Sequence, residues 1–287
     1  MKSVKFLTLL LAFQLSSAFA LPLAKIDSLN FRPGPFYKDF LVNYNFEGIV
    51  KLSNCSGSLI QFEEQGNDAK AIVLTNGHCV SKGPFGGFIS PGEVLTNKKV
   101  NVKMKVFKNR EKLFPITAVK IVYATMTDTD IALYELNETY EQILARTGVT
   151  PLVLSLEKPA EGTSIDIVSG YWERGYSCAI DGFVTRLLEA GWTFKNSIRF
   201  TPGCDTVPGT SGSPIIAANS REVIAINNTS NESGERCTMD NPCEVSESGD
   251  VTFSKGLRYG QQTYNIYSCL NENREVSVTT AGCKLPK

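Results

Sequence analysis

Short apolar runs, each closed by a turn signal, dominate the sequence after its first twenty residues. "FEGIVKL", "SGSLIQF", "KAIVLTN", "VNVKMKVF", "AVKIVYA" and "DIALYEL" come first. "PLVLS", "SIDIVSGY", "AIDGFVTRL", "NSIRFT", "SPIIAA" and "EVIAINN" follow. Val, Ile, Thr, Phe and Tyr fill these runs, and Gly, Pro, Asn and Asp separate them, which is the composition of strands and their turns. The spacing predicts an all-β chain, a sandwich or a barrel. One stretch departs from it. "NETYEQILARTG" has helix formers, apolar residues at helical spacing and a closing glycine, so a short helix is expected between two β halves. No internal repeat or low-complexity segment is visible. The stretch "NTSNESGERCTMDNPCEVSESGD" reads as a polar loop, with Cys237 and Cys243 near enough to staple it.

The first residues belong to a different pattern. Lys2 and Lys5 precede the apolar "FLTLLLAFQL", and "SSAFA" ends in a small-x-small site at Ala18-Phe19-Ala20. This is the layout of a cleavable secretory signal, with the mature chain starting near Leu21. A membrane anchor is the alternative, but the apolar core is too short to span comfortably, and no later run has spanning length. Export to the periplasm or the medium is therefore expected, with no membrane attachment after cleavage.

Export changes the reading of the cysteines. All eight lie beyond the signal: Cys55, Cys79, Cys178, Cys204, Cys237, Cys243, Cys269 and Cys283. An even count in an oxidising compartment predicts four disulfides, although spacing leaves their pairing open. There is no CxxC pair and His78 is the only histidine, which argues against a zinc site. Charge is balanced, with 29 Lys and Arg against 29 Asp and Glu and no basic block, so nucleic acid is not expected as a partner.

Three segments carry candidate chemistry. "AIVLTNGHCV" ends an apolar strand pattern in a turn holding His78. "TDTDIALYEL" puts Asp130 directly before another apolar run. "TVPGTSGSPII" puts Ser211 in a loop of small residues before a third. Singly, each has an ordinary structural explanation: a packed histidine, a turn aspartate, a Gly/Ser turn. Together they supply a nucleophile, an imidazole to take its proton, and a carboxylate to fix the imidazole's tautomer. No histidine follows Ser211, which excludes the Ser–acid–His order of the α/β-hydrolases. The Asp–His–Ser order of subtilisins fails too, and the helices of that fold are missing from the pattern.

In this order the segments resemble the trypsin-like serine peptidases of the chymotrypsin fold. "LTNGHCV" resembles the family's histidine segment, "DIALYEL" its aspartate segment and "GTSGSPII" its serine segment. "REVIAINN" is similar to the following strand of the secreted bacterial V8-like (glutamyl endopeptidase) branch. The resemblance runs from about Phe46 to Asn228. It implies two packed six-stranded antiparallel β-barrels with a short connecting helix and a disulfide-stapled C-terminal tail. The expected divisions are 1–20 signal peptide, 21–43 N-terminal arm or pro-segment, 44–140 first barrel, 141–268 second barrel and 269–287 tail. It implies a catalytic triad of His78, Asp130 and Ser211, an oxyanion hole from the N–H groups of Gly209 and Ser211, and no metal or organic cofactor. It implies a Cys55–Cys79 bridge beside the histidine. Cys178–Cys204, Cys237–Cys243 and Cys269–Cys283 are expected from proximity and elimination. Thr210 stands where classical trypsins carry the acidic residue that pairs with a new N-terminus, so activation by that ion pair is not expected.

Specificity is the finer expectation. Asp205 lies six residues before Ser211, where trypsin-like enzymes hold the carboxylate at the base of the primary pocket, and this implies cleavage after Arg or Lys. V8-like relatives use a second histidine and a threonine to accept Glu. Thr206 is present, but Asn227 stands at the histidine's position. Thr206 and Asn227 are expected to line the pocket. The loop over residues 229–250 is expected to border it, with acidic residues that favour basic substrates. The leading expectation is a secreted, monomeric serine endopeptidase acting on proteins or peptides. A latent or inactive binding protein on the same scaffold, and a peptidase with another P1 preference, are the alternatives. A quality-control protease with an appended peptide-binding module is not expected, because the tail is too short to hold one.

Overall fold

A computed structural model describes residues 43–80 and 86–287. The expected signal peptide and nearly all of the expected arm lie outside the described residues.

The apolar runs form strands. In the first half these are β1 (Ile49–Lys51), β2 (Ser56–Gln61), β3 (Lys70–Thr75), β4 (Val94–Asn109), β5 (Lys112–Thr125) and β6 (Ile131–Thr139). They pair antiparallel in the order β1-β4-β5-β6-β3-β2, and β1 pairs with β2 to close a six-stranded barrel. A helix, α1 (Tyr140–Thr147), and a short strand, β7 (Leu152–Leu154), follow. The second half supplies β8 (Ser164–Ser169), β9 (Arg174–Glu189), β10 (Trp192–Phe200), β11 (Pro214–Ala217), β12 (Glu222–Ser230) and β15 (Arg258–Gln262), with β13 (Cys243–Val245) and β14 (Val251–Thr252) as a side hairpin on β9. The order β12-β11-β8-β9-β10-β15, closed by pairing of β12 with β15, makes a second six-stranded barrel. Closure removes the free edges that an open sheet would expose. β7 pairs parallel with both β2 and β12 and so stitches the barrels together.

Continuity of the apolar runs has a physical cause. Strand β3 is buried at every position after Lys70. Val73 packs in one core cluster, whereas its neighbours Ile72 and Leu74 pack in another that also takes Leu152, Ile216, Val223 and Ile226 from β7, β11 and β12. Both faces of the strand are covered, so no polar alternation survives. The helix begins later than its pattern suggests. Residues 137–139 finish β6, and Thr139 caps α1 in a reciprocal capping box with Gln142; Gly148, at φ 69°, ends it.

Four disulfides join Cys55 to Cys79, Cys178 to Cys204, Cys237 to Cys243 and Cys269 to Cys283. The last closes the tail, which turns back onto β7 and the first barrel: Tyr267 Oη donates to Leu154 O, Arg274 pairs with Glu64, and Leu285 is buried.

Candidate active site

His78 lies in a single 3₁₀ turn, Gly77–Cys79, directly after β3, and Asp130 lies directly before β6. These strands pair with Thr75 opposite Ala132, so the ends that carry the two residues lie side by side. Asn76 Nδ2 donates to Asp130 O at 2.8 Å and fixes the backbone between them. The aspartate is 1% exposed. Its Oδ2 is 2.6 Å from His78 Nδ1, and its Oδ1 accepts the His78 backbone N–H at 2.9 Å. A carboxylate in that position holds the neutral ring with its proton on Nδ1, leaving Nε2 free to accept one. Burial of the imidazole opposes its charging. The Asp130 carboxylate, by its charge and hydrogen bond, with Glu189 and Asp240 behind it, outweighs that and raises the His78 pKa above 6.5.

Glycine at position 77 is a packing requirement. A Cβ there would stand 2.1 Å from Thr125 O and 2.9 Å from Asp130 Oδ1. The Cys55–Cys79 disulfide ties the same turn to the start of β2.

Ser211 approaches from the second barrel, in the loop before β11. Ser56 N donates to Ser211 O at 2.8 Å, and Gly212 N donates to Asn227 O at 3.0 Å, so this loop is bonded to both barrels. Gly212 has φ +76°, and a Cβ on it would lie 2.1 Å from Thr75 Oγ1 and 2.3 Å from Ser56 O. Residues 207–210 form a turn closed by Thr210 N to Val207 O at 2.9 Å, with Pro208 second and Gly209 third at φ +90°. Those are the residues and dihedral of a type II turn. Among the described residues the N–H groups of Gly209 and Ser211 donate to no acceptor. Ser211 Oγ bonds Asn228 O at 3.3 Å, and the described residues include no hydrogen bond between it and His78. A rotation about χ1 moves Oγ between staggered wells and can turn it away from Asn228 O.

His78, Asp130, Gly209 and Ser211 line one cleft of about 230 Å³. Thr206 and Asn227, both buried, line it too, beside Asn228. Asn227 Oδ1 and Asn228 Nδ2 have no partner among the described residues. The end of β12 contributes Thr229 and Ser230, and the loop after it contributes Glu232 and Asp240.

Asp205 requires a correction. It is not the buried base of a pocket. Its side chain is 81% exposed, it is absent from the cleft lining, and its carboxylate is paired with Arg258 Nη2. Arg258 Nε also holds the neighbouring Thr206 O at 3.1 Å, so the guanidinium draws this stretch of backbone and its carboxylate to the outer side.

The cleft also contains an acid that sequence reasoning missed. Glu189, at the end of β9, is 7% exposed. Burial pushes its pKa up to about 7, against hydrogen bonds from Thr229 and the Asp240 N–H and the charge of His78. Asp240 N donates to its Oε1 at 2.8 Å. Nothing in "RLLEAGW" marks it, because its environment is assembled from β12 and the loop that follows. Phe88 was also missed. Its ring centroid lies 6.2 Å from that of His78 and 5.7 Å from that of Trp192, both edge-on.

A model of the trypsin-like peptidase domain matches residues 55–226. The chain belongs to the trypsin-like peptidase family. The match spans the histidine, aspartate and serine segments. Solved structures similar to this trypsin-like chain include the MamO protease domain from Magnetospirillum magneticum, at 13% identity and TM-score 0.49, covering 79% of this chain and 97% of that one. A Glu endopeptidase is 15% identical at TM-score 0.43, covering 76% and 85%. A Nocardiopsis protease is 13% identical at TM-score 0.43, covering 76% and 93%. No curated protein matches the sequence. The four disulfides of this family member suit an extracellular or periplasmic setting. No helix among the described residues is long and apolar enough to cross a membrane.

Proposed function

We propose that the chain is an exported serine endopeptidase in which Ser211 is the nucleophile, His78 the general base and then acid, and Asp130 the group that orients the imidazole. The observation that carries this reading is the paired bonding of Asp130 to His78 in the same cleft as Ser211 and the two unengaged N–H groups. Ser211 Oγ attacks the scissile carbonyl carbon and forms a C–O bond as its proton passes to His78 Nε2. The carbonyl oxygen takes the negative charge and is met by the N–H groups of Gly209 and Ser211. Collapse breaks the C–N bond, and the imidazolium gives its proton to the departing amine. Water, deprotonated by the same imidazole, then releases the acyl group.

In this reading residues 1–20 are a cleaved signal, residues 21–43 an arm or pro-segment, and the enzyme works as a monomer, since one chain supplies every group named. Substrates with basic side chains are preferred. The support is an acidic cleft: Glu189, Glu232 and Asp240 line it, and no Lys or Arg is among its described lining residues. Asp205 has no part in that preference.

A second reading has one observation in its favour. Ser211 Oγ bonds the Asn228 carbonyl instead of His78, as a latent or binding-only relative would allow. Labelling with a fluorophosphonate separates the two. The chain from Leu21, folded under oxidising conditions, is expected to be labelled at Ser211, and the Ser211→Ala variant not. Peptides varied at one position at a time are expected to be cut fastest when they carry Arg or Lys. A folded chain that neither labels nor cleaves would overturn the peptidase reading, and one that prefers acidic side chains would overturn the basic preference alone.

A further inference from the structure

The turn over residues 207–210 has one peptide plane, its central one, that can swing without breaking the Thr210 N to Val207 O bond that closes it. A type II turn becomes type I by rotation of its central peptide, here that between Pro208 and Gly209. The peptide is trans, so its C=O and N–H point in opposite directions. In one orientation the Gly209 N–H faces the site where an oxyanion forms. In the other the Pro208 carbonyl faces it and repels the charge.

An indole sets that orientation. Trp172 Nε1 donates to Pro208 O at 2.7 Å. Trp172 lies between β8 and β9 and is not among the residues lining the cleft, and its neighbour Tyr171 packs edge-on against it with centroids 5.0 Å apart. The two rings also abut Gly209: a Cβ there would stand 2.8 Å from Tyr171 Cδ1 and 3.0 Å from Trp172 Nε1. The next peptide is held likewise. Ser56 Oγ donates to Gly209 O at 3.2 Å, and it is itself tied to Ser169 Oγ at 3.0 Å and to the Tyr171 N–H at 3.0 Å. Trp172 is 48% exposed, so core packing does not account for a tryptophan at this position.

We infer that Trp172 is a positioning residue of the oxyanion hole: its indole N–H pins the Pro208 carbonyl away from the cleft and thereby presents the Gly209 N–H to the tetrahedral intermediate. The inference rests on the proposed role of Ser211. It predicts an effect on the transition state and none on ground-state binding.

Trp172→Phe removes the N–H and keeps a ring against Gly209, and Trp172→Leu removes both. On a peptide that the wild type cleaves, both variants are expected to lose about 5- to 10-fold in kcat, the worth of one hydrogen bond, with KM within about twofold. Affinity for a peptide aldehyde, which forms a tetrahedral adduct, is expected to fall by the same factor. Melting temperatures confirm that the variants are folded. Wild-type kcat and aldehyde affinity in Trp172→Phe, or a loss confined to KM, would overturn the inference. Full activity in the Phe variant with loss only in the Leu variant would overturn it as well, by assigning the role to ring packing. A wild type that a fluorophosphonate fails to label would overturn the proposed function and this inference with it, whereas a labelled wild type with an indifferent Trp172→Phe would overturn only the latter.

Discussion

Asp130 grips His78 at two points with one carboxylate: Oδ2 at 2.6 Å from the ring Nδ1, and Oδ1 accepting the histidine's own backbone N–H at 2.9 Å. The ring and the turn that carries it are therefore oriented by the same buried group. Neither bond is open to competition from bulk water at the aspartate, which is 1% exposed.

Asp130→Asn separates these two tasks. An amide oxygen still accepts the backbone N–H, but an amide N–H in place of the second oxygen favours the wrong imidazole tautomer. The variant is expected to fold, and to lose kcat by on the order of 10⁴-fold. Steady-state kinetics beside a melting curve check this, and a loss below about tenfold would remove Asp130 from the proposed mechanism.

The pH profile follows from the raised pKa of His78. The proposed base works only as neutral imidazole, so kcat/KM is expected to rise with pH through a midpoint above 6.5. Stability runs in the opposite sense. A histidine whose folded pKa is raised adds stability that is fully present below about pH 6.5 and is lost as pH rises through the folded value. A rate profile with its limb below 6.5 would contradict the assignment.

Glu189 gives a second linkage of the same sign. Its pKa is pushed up from 4.5 to about 7, so the folded protein holds a proton there that the unfolded chain releases. Its contribution is fully present below about pH 4.5 and is lost as pH rises through about 7. Glu189→Gln keeps an acceptor for the Asp240 N–H without a buried charge. Relative to wild type it is expected to gain stability between pH 5 and pH 8, by on the order of 2 kcal/mol, as measured by denaturant titration at both values. The same variant is expected to lose part of the preference for basic substrates.

Gly212 leaves no room for a side chain between the serine loop and the first barrel. Gly212→Ala combines a positive φ with a Cβ 2.1 Å from Thr75 Oγ1 and 2.3 Å from Ser56 O. A destabilisation of about 2–4 kcal/mol is expected, with a loss of activity as Ser211 shifts. A melting temperature equal to wild type would show that the loop relaxes freely.

The Cys55–Cys79 bridge closes 24 residues of chain around β2, β3 and the His78 turn. Replacing both cysteines by alanine is expected to reduce stability by about 3 kcal/mol and to lower kcat more than KM, because the turn that carries His78 loses its tether. Chemical denaturation and steady-state kinetics on the double variant read the two effects separately.

Local chemistry was enough for the strands, the helix and the three candidate segments. An apolar run of β-branched residues between Gly and Asn is a strand in most surroundings, and Asp130 and Ser211 each stand where such a run begins, which is where a loop projects a side chain from a rigid base. The start of α1 is a local matter too, since the Thr139 and Gln142 box that caps it is written in "NETYEQ".

Direction was the part that counting along the chain could not supply. Asp205 is six residues before Ser211 in sequence, yet Arg258, brought alongside by the pairing of β15 with β12, draws its carboxylate out of the cleft. Glu189 is an ordinary hairpin acid until β12 and the following loop bury it beside His78. Trp172 reaches Pro208 across 36 residues of chain. Periodicity and turn chemistry act over a few residues, so they determine which segments are strands and where along the chain the candidate groups stand. Which loops meet, and which way their peptides and carboxylates point, depends on the closure of two barrels whose pairings are long-range, and only the folded chain decides it.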